Sequence, residues 1–284
     1  MKFQPAPMQT VIINTCPTGM IPTKHMNTHV PVTPQEIIAC ALRCAELGAS
    51  IIHLHARDEQ GHPTWKKAVY QRIIAGIRSQ NERLILCVST SGRNWNTFEK
   101  RADCLELKGD VKPDMASLTL GSMNFINQES VNSPEMIQQL AAKMLENDIK
   151  PELEVFDVGM IHKANTLLAK GLLPSTAPYF NIFTGSLGTA PFDPVTFGAM
   201  YHLLPDSCVW SLAGIGTYQL DANLTALAFG GHVRVGLEDN LYWDRERSTL
   251  ASNEALVERI ATLIKHMGHR ISSPEATRST LGLA

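Results

Sequence analysis

The chain has 284 residues, 44% hydrophobic and 18% charged, with a formal net charge of −2, a balance that supplies a full core and excludes a largely disordered polypeptide. It has neither a basic run of the kind that grips nucleic acid nor an apolar run of the roughly 18 residues that a membrane span requires, so neither partner is expected. The six cysteines, at 16, 40, 44, 87, 104 and 208, form no CxxC pair, and the start "MKFQPAPMQTVIINT" carries no apolar leader; both features fit reduced thiols in a cytoplasmic protein.

Short apolar runs alternate with longer amphipathic ones along the whole sequence. "TVIINT" (10–15) reads as a first strand, and "VTPQEIIACALRCAELGA" (32–49) as its helix. Thr33 at the N-cap, Pro34 at N1 and Glu36 at N3 make a capping box, and Gly48 stops the helix. "SIIHLH" (50–55) is a second strand followed by a helix over about 65–80, and "RLILCVS" (83–89) a third followed by a helix near 95–106. "MASLTLG" (115–121) is the fourth, with a helix over 133–148 capped by Ser133. "KPELEVFD" (150–157) precedes a helix through Lys170, and "YFNIFTG" (179–185) precedes "DPVTFGAMYHLLP". "CVWSLAGIG" (208–216) leads to a helix ending near Phe229, and "HVRVGLED" (232–239) to a last helix over 252–268. Eight strand–helix units in fewer than 300 residues predict a (β/α)8 TIM barrel, an α/β fold in one domain spanning 1–284. A doubly wound sheet would want GxGxxG or GxxxxGK[ST] after an early strand, and neither motif is present. The tail at about 270–284 is expected to pack outside the barrel or on a neighbouring subunit.

Barrel chemistry sits at the C-terminal ends of the strands, and these ends are polar. His53 and His55 flank Leu54 and therefore share a face directed at the barrel mouth. Hydrogen-bonded core histidines would show the same spacing, so "HLH" alone leaves both readings open. Arg234, Gly236 and Glu238 share a face of the eighth strand, which neighbours the first on the side opposite the second. His53, His55 and Glu238 can then converge as two imidazoles and a carboxylate, a donor set common in catalytic zinc sites. The competing reading is an ion-pair cluster of Arg234, Glu238 and Asp239. Strand five offers Glu152 and Glu154 on one face, strand four runs into Ser122 and Asn124, and strand three ends in Ser89, Thr90, Ser91 and Arg93. A metal-dependent aldolase or hydrolase of a keto acid is one activity such a mouth could support, and a binding barrel with a structural metal is another.

Taken together, "PTGMIPTK" (17–24), "VPVTPQEI" (30–37), "IIHLHARDEQGHPT" (51–64), "STSGR" (89–93), "PDMASLTLGSMNF" (113–125), "KPELEVFD" (150–157), "AGIG" (213–216) and "GGHVRVGLEDN" (230–240) resemble the β-keto acid cleavage enzymes over nearly the whole chain. The resemblance implies a (β/α)8 barrel, assembly as a homotetramer, one zinc held by His53, His55 and Glu238, and an acyltransferase reaction. In that reaction a 3-oxo acid and acetyl-CoA, the co-substrate, become acetoacetate and a new acyl-CoA. It also implies that Asp239, working with Arg234, removes the C2 proton, that Ser89 and Asn124 face the oxyanion, and that Ser89, Ser122, Asn124 and Glu154 contact substrate.

The sequence departs from the family pattern in places. A founding member has "TGAE" where this chain has "TGMI", so Ile21 replaces a glutamate suited to an amino-bearing substrate. Lys24 and Arg93, in loops near the mouth, point instead to a neutral or anionic 3-oxo acid. Ser122 stands where some relatives have threonine, which keeps the hydroxyl. For CoA phosphates the expected holders are Gly188, Gly214 and Gly216 in the loops after strands six and seven. Thr217 stands where some relatives have arginine, and that weakens a phosphate contact there.

Overall fold

The computed structural model describes residues 8–283. Eight strands, β1 (Ile13–Thr15), β2 (Ile51–Leu54), β3 (Ile85–Val88), β4 (Met115–Thr119), β5 (Lys150–Val155), β6 (Tyr179–Thr184), β7 (Val209–Gly214) and β8 (His232–Val235), pair in parallel in that order, and β8 closes onto β1. The intervening helices are α1 (Pro34–Glu46), α2 (Lys67–Arg78), α3 (Phe98–Ala102), α4 (Pro134–Glu146), α5 (Val158–Ala169), α6 (Pro194–Leu203), α7 (Gln219–Ala228) and α8 (Asn253–His266). This is the (β/α)8 barrel expected from the alternation. Its α1 begins with the anticipated reciprocal cap: the Glu36 N–H donates to Thr33 Oγ1 at 3.2 Å, and the Thr33 N–H donates to Glu36 Oε2 at 3.1 Å.

Alternation along each strand separates two cores. Ile52, Leu54, Leu86, Val88, Leu118 and Leu153 turn outward into the layer between strands and helices. The barrel interior is apolar at its base, where Ile12, Ile51, Ile85, Cys87, Met115 and Tyr179 cluster. One layer above, the interior is polar. Asn14 Nδ2 and Asn181 Nδ2 donate to Glu152 Oε1 at 2.7 and 3.2 Å, and Ser211 Oγ donates to Asn181 Oδ1 at 2.8 Å. Buried polar groups are tolerated because they satisfy one another.

The first expected strand divides in two. Thr10–Val11 pairs with Arg270–Ile271 in a small parallel ribbon, whereas Ile13–Thr15 enters the barrel. Residues beyond 271 run under the barrel base as α9 (Pro274–Leu281). Arg278 Nη2 holds Asp114 Oδ1 at 2.7 Å, and Leu281 is fully buried in the apolar base cluster. Among the described residues no helix is long and apolar enough to cross a membrane.

Candidate active site

β2 stops at Leu54, so His53 points into the barrel and His55 follows one residue beyond the strand. Their Nε2 atoms lie 3.3 Å apart. β8 stops earlier than its sequence suggests, at Val235, because Gly236 takes over with φ +155°. A Cβ at Gly236 would sit 2.2 Å from the Cys16 carbonyl oxygen, so only glycine fits. The N–H groups of Asp239 and Asn240 both donate to the Gly236 carbonyl, and Glu238 N–H donates to that of Cys16. This turn abandons strand alternation and delivers Glu238 and Asp239 to the same place. Glu238 Oε1 lies 3.1 Å from His55 Nε2, and Glu238 Oε2 lies 4.0 Å from His53 Nε2. Gly19, in the "TGMI" stretch, supports the arrangement, since a Cβ there would meet Glu238 Cγ at 2.6 Å.

These groups fit a divalent cation. Donor atoms of His53, His55 and Glu238 all lie within 4.8 Å of one another, and Glu238 Oε2 is buried with no hydrogen-bond partner among the described residues. Two facing Nε2 atoms cannot both carry a proton without repulsion, whereas two lone pairs can share an ion. On the other side of the ring, His53 Nδ1 donates to Glu152 Oε2 at 2.7 Å, which leaves Nε2 as the free lone pair. His53, Cys87 and Glu152 form a second donor cluster. Glu152, however, already accepts from Asn14, Asn181 and His53, so its role here is to orient His53.

Beside the triad, the buried Arg234 uses Nε to hold Asp239 Oδ2 at 2.9 Å and Nη2 to reach Glu238 Oε1 at 3.2 Å. The Cys16 thiol donates to the same Asp239 oxygen at 3.2 Å. Arg234 Nη1 is buried with no hydrogen-bond partner among the described residues. Burial opposes ionisation of Glu238, but His55, Arg234 and His53 outweigh it and hold the carboxyl well below the usual range. Glu152 behaves alike: burial is overcome by His53 and Arg234. Burial also opposes charging of His53, yet the adjacent Glu152 carboxylate lifts it above the ordinary imidazole value. In His55 burial prevails and the pKa falls. Burial, reinforced by Glu152, raises Glu154.

A cavity of about 300 Å³ opens above these residues. His55, Ser89, Glu154, Arg234 and Glu238 line it, as do Arg93, Ser91 and Ile21. Glu154 accepts from Thr119 Oγ1 at 2.6 Å. Thus both strand-five glutamates face inward, Glu154 into the cavity and Glu152 one layer below. Asp239 borders an adjoining cavity of about 350 Å³, together with Gly216, and Ile21 and Glu238 line both spaces.

Other expected contacts lie elsewhere. Lys24 Nζ pairs with Glu36 Oε1 at 2.9 Å on the surface of α1. Ser122 Oγ accepts from the Asn132 N–H at 2.8 Å. Asn124 is exposed on a hairpin formed by Met123–Asn124 and Glu129–Ser130. Gly188 packs against the Asn124 carbonyl, Gly214 against that of Tyr218, and the Gly216 N–H donates to the Asp239 carbonyl at 2.7 Å. Sequence reasoning missed the aromatic wall of the cavity, Phe125, Phe156 and Phe183. Apolar residues at strand ends look like ordinary core; the sole signal was that Phe156 and Phe183 stand at C-terminal strand ends, where a barrel keeps its mouth.

Residues 10–283 match the family model described as beta-keto acid cleavage enzyme. The chain is 36% identical over 278 residues to a 3-keto-5-aminohexanoate cleavage enzyme of Fusobacterium nucleatum, covering 97% of this chain and 99% of the relative. It is also 36% identical over 280 residues to a 3-oxoadipate:acetyl-CoA acetyltransferase of Cupriavidus necator, covering 97% and 95%. Among solved structures, apo ObcA shares the fold with a TM-score of 0.78 at 21% identity, covering 90% of this chain and 66% of that one.

Proposed function

Starting from the fact that this chain belongs to the beta-keto acid cleavage enzyme family, an acyltransferase family of 3-oxo acids, we propose that it uses zinc to convert a neutral or anionic 3-oxo acid and acetyl-CoA into acetoacetate and a new acyl-CoA. The observation that carries this reading is the convergence of His53, His55 and Glu238 beside an arginine whose Nη1 has no hydrogen-bond partner among the described residues. His53 Nε2, His55 Nε2 and the Glu238 carboxylate would hold the ion. Once bound, it would supply Lewis acidity that acidifies C2 of the 3-oxo acid.

The protein groups then divide the work. Asp239 takes the C2 proton; Arg234 orients that carboxylate through Nε and offers Nη1 to the developing enolate charge. An arginine at this position does not readily give up its own proton, so the base is the carboxylate. The carbanionic C2 attacks the acetyl thioester carbonyl. Ser89, which lines the cavity, donates to the oxyanion. The CoA thiolate leaves, attacks the 3-oxo carbonyl, and the bond between that carbon and C2 breaks. The electron pair stays on C2 and is protonated, which yields acetoacetate and the other acyl-CoA. Glu154 contacts the acid from strand five. Ile21 lines the mouth without a charge to meet an ammonium group, and this disfavours an amino-bearing acid.

A panel of 3-oxo acids assayed for acetoacetate, with and without acetyl-CoA, tests the proposal. Acetoacetate that depends on acetyl-CoA supports it; a complete absence across the panel, or cleavage without acetyl-CoA, refutes it. The same reading takes the enzyme to be a cytoplasmic homotetramer, and light scattering in solution checks the assembly.

A further inference from the structure

Two guanidinium groups face the cavity, and their circumstances differ. Arg234, beside the triad, is engaged by Asp239 and Glu238. Arg93, on the loop after β3, has no carboxylate within ion-pair distance among the described residues, although it is largely buried at the cavity edge. Its carbon Cζ lies 3.8 Å over the ring of Phe125. That ring meets Phe156 edge-on at 5.9 Å between centroids, Phe156 stacks on Phe183 at 4.4 Å, and Arg234 Cζ lies 4.8 Å over Phe183. All five side chains line the one cavity. The wall is therefore apolar along its length with a guanidinium at each end, Arg234 already ion-paired and Arg93 not.

Such a wall is complementary to a molecule with an apolar middle and an anion at each end. A guanidinium is a rigid fork that fits a carboxylate bidentately, and a Phe face beneath it fixes the plane of the fork without neutralising it. Glu238, Glu154 and Asp239 favour the charge of Arg93 from a distance, but a guanidinium held partly out of water with no carboxylate in ion-pair contact is incompletely compensated. The missing charge is thus expected from the ligand.

We propose that the acid processed by this enzyme is a 3-oxo dicarboxylic acid, with its reacting end at the His53–His55–Glu238 triad, its methylenes along Phe125, Phe156 and Phe183, and its distal carboxylate on Arg93. This rests on the acyltransferase reading above and specifies its substrate class. Arg93 acts as a specificity-determining residue. It takes no part in bond making and stands at the opposite end of the wall from the reacting atoms.

The test has a binding arm and a turnover arm. Isothermal titration of the whole protein with adipate and with hexanoate, which lack the reactive 3-oxo group, compares two and one carboxylates at equal length. Adipate is expected to bind on the order of 10- to 100-fold more tightly, and this preference is expected to collapse in R93Q. In the turnover arm, kcat/KM with acetyl-CoA should favour 3-oxoadipate over 3-oxohexanoate by a similar ratio, with the loss in R93Q falling on KM for the dicarboxylate. R93E should invert the ranking by admitting an amino-bearing acid, and it gives an independent readout if R93Q folds poorly. Equal treatment of the two acids by the wild type overturns the proposal. So does a loss in R93Q that appears in KM for acetyl-CoA, which would place Arg93 on a CoA phosphate. If 3-oxoadipate fails while other 3-oxo acids of the wider panel yield acetoacetate, the dicarboxylate proposal falls and the acyltransferase reading stands; if the whole panel fails, the acyltransferase reading falls, while the adipate titration still decides the role of Arg93.

Discussion

Glu152→Gln is a nearly isosteric change whose consequence can be worked out atom by atom. The wild-type carboxylate is completely buried and only accepts: Oε1 from Asn14 and Asn181, Oε2 from His53 Nδ1 and, at 3.4 Å, from the Cys87 thiol. Glutamine keeps one oxygen. If that oxygen stays with the two asparagine donors, the new NH2 group faces His53 Nδ1. The imidazole must then accept at Nδ1 and carry its proton on Nε2, the atom that looks at His55 and Glu238. That is the wrong tautomer for a metal ligand. Loss of such an outer partner lowers metal affinity by roughly 10- to 100-fold, or about 1.4–2.8 kcal/mol. Competition with a chromogenic chelator on the apoprotein, titrated with Zn2+ and then Co2+, measures the affinity. Circular dichroism at the same temperature confirms that the variant is folded. A folded E152Q protein that binds either ion within twofold of wild type would show that Glu152 does not set the His53 tautomer, and the reasoning would be wrong.

Other outcomes follow from the same structure. Asp239→Asn should lower turnover by at least about 10²-fold while leaving close to one metal ion per chain, because the base is lost and the triad is not; metal loss in parallel with activity would count against that division. Burial pushes the His232 imidazole down to about 4, and its Nδ1 accepts the Ile12 N–H at 3.1 Å. A depressed folded pKa means that this contribution is present above the ordinary histidine value of about 6.5 and is lost as the pH falls towards 4, with a slope of up to about 1.4 kcal/mol per pH unit. His232→Asn keeps an acceptor but cannot titrate, so urea midpoints between pH 7.5 and 4.5 should fall less steeply than in wild type; parallel curves would exclude the histidine as the source. Leu281→Ala, at a fully buried position in the barrel base, should destabilise by about 2–5 kcal/mol, read from the denaturant midpoint at constant slope. A change below about 0.5 kcal/mol, the range of ordinary surface substitutions, would mean that α9 does not seal the base in solution.

The barrel was legible because its strands are buried on both faces and its helices carry explicit caps. "IIHL" and "RLILCVS" read as buried parallel strands, and Thr33 with Glu36 marked a helix start to the residue. His53 and His55 followed from alternation alone. Glu238 was reached by a premise that holds only in part: it was placed on the inner face of a continuous strand, whereas β8 ends at Val235 and a turn at Gly236 brings Glu238 in. That turn depends on how closely the Cys16 carbonyl approaches, a contact between segments 220 residues apart that no local pattern encodes. The same kind of distance hid the hairpin after β4. It carries Phe125 to the cavity while leaving Asn124 exposed, although the two are adjacent in sequence. Lys24 and Glu36, both singled out from sequence for other reasons, pair with each other at the start of α1, a contact that neither reading anticipated.

The floor of the barrel is assembled from opposite ends of the sequence: Ile12 lies near one end, Leu281 near the other, and Ile51, Ile85, Met115 and Tyr179 lie between them. On the ribosome these contributions arrive in order, so a nascent chain that has emerged only as far as β8 can close the ring of strands but still presents an open, greasy base to water. The ribbon of Thr10–Val11 with Arg270–Ile271 and then α9 can form only after β8 has been made. Until they dock, the growing polypeptide offers a sticky surface of the kind that recruits chaperones. Protection of the interior from hydrogen exchange and proteases is therefore expected to follow the docking of α9 and not the closing of the ring of strands alone.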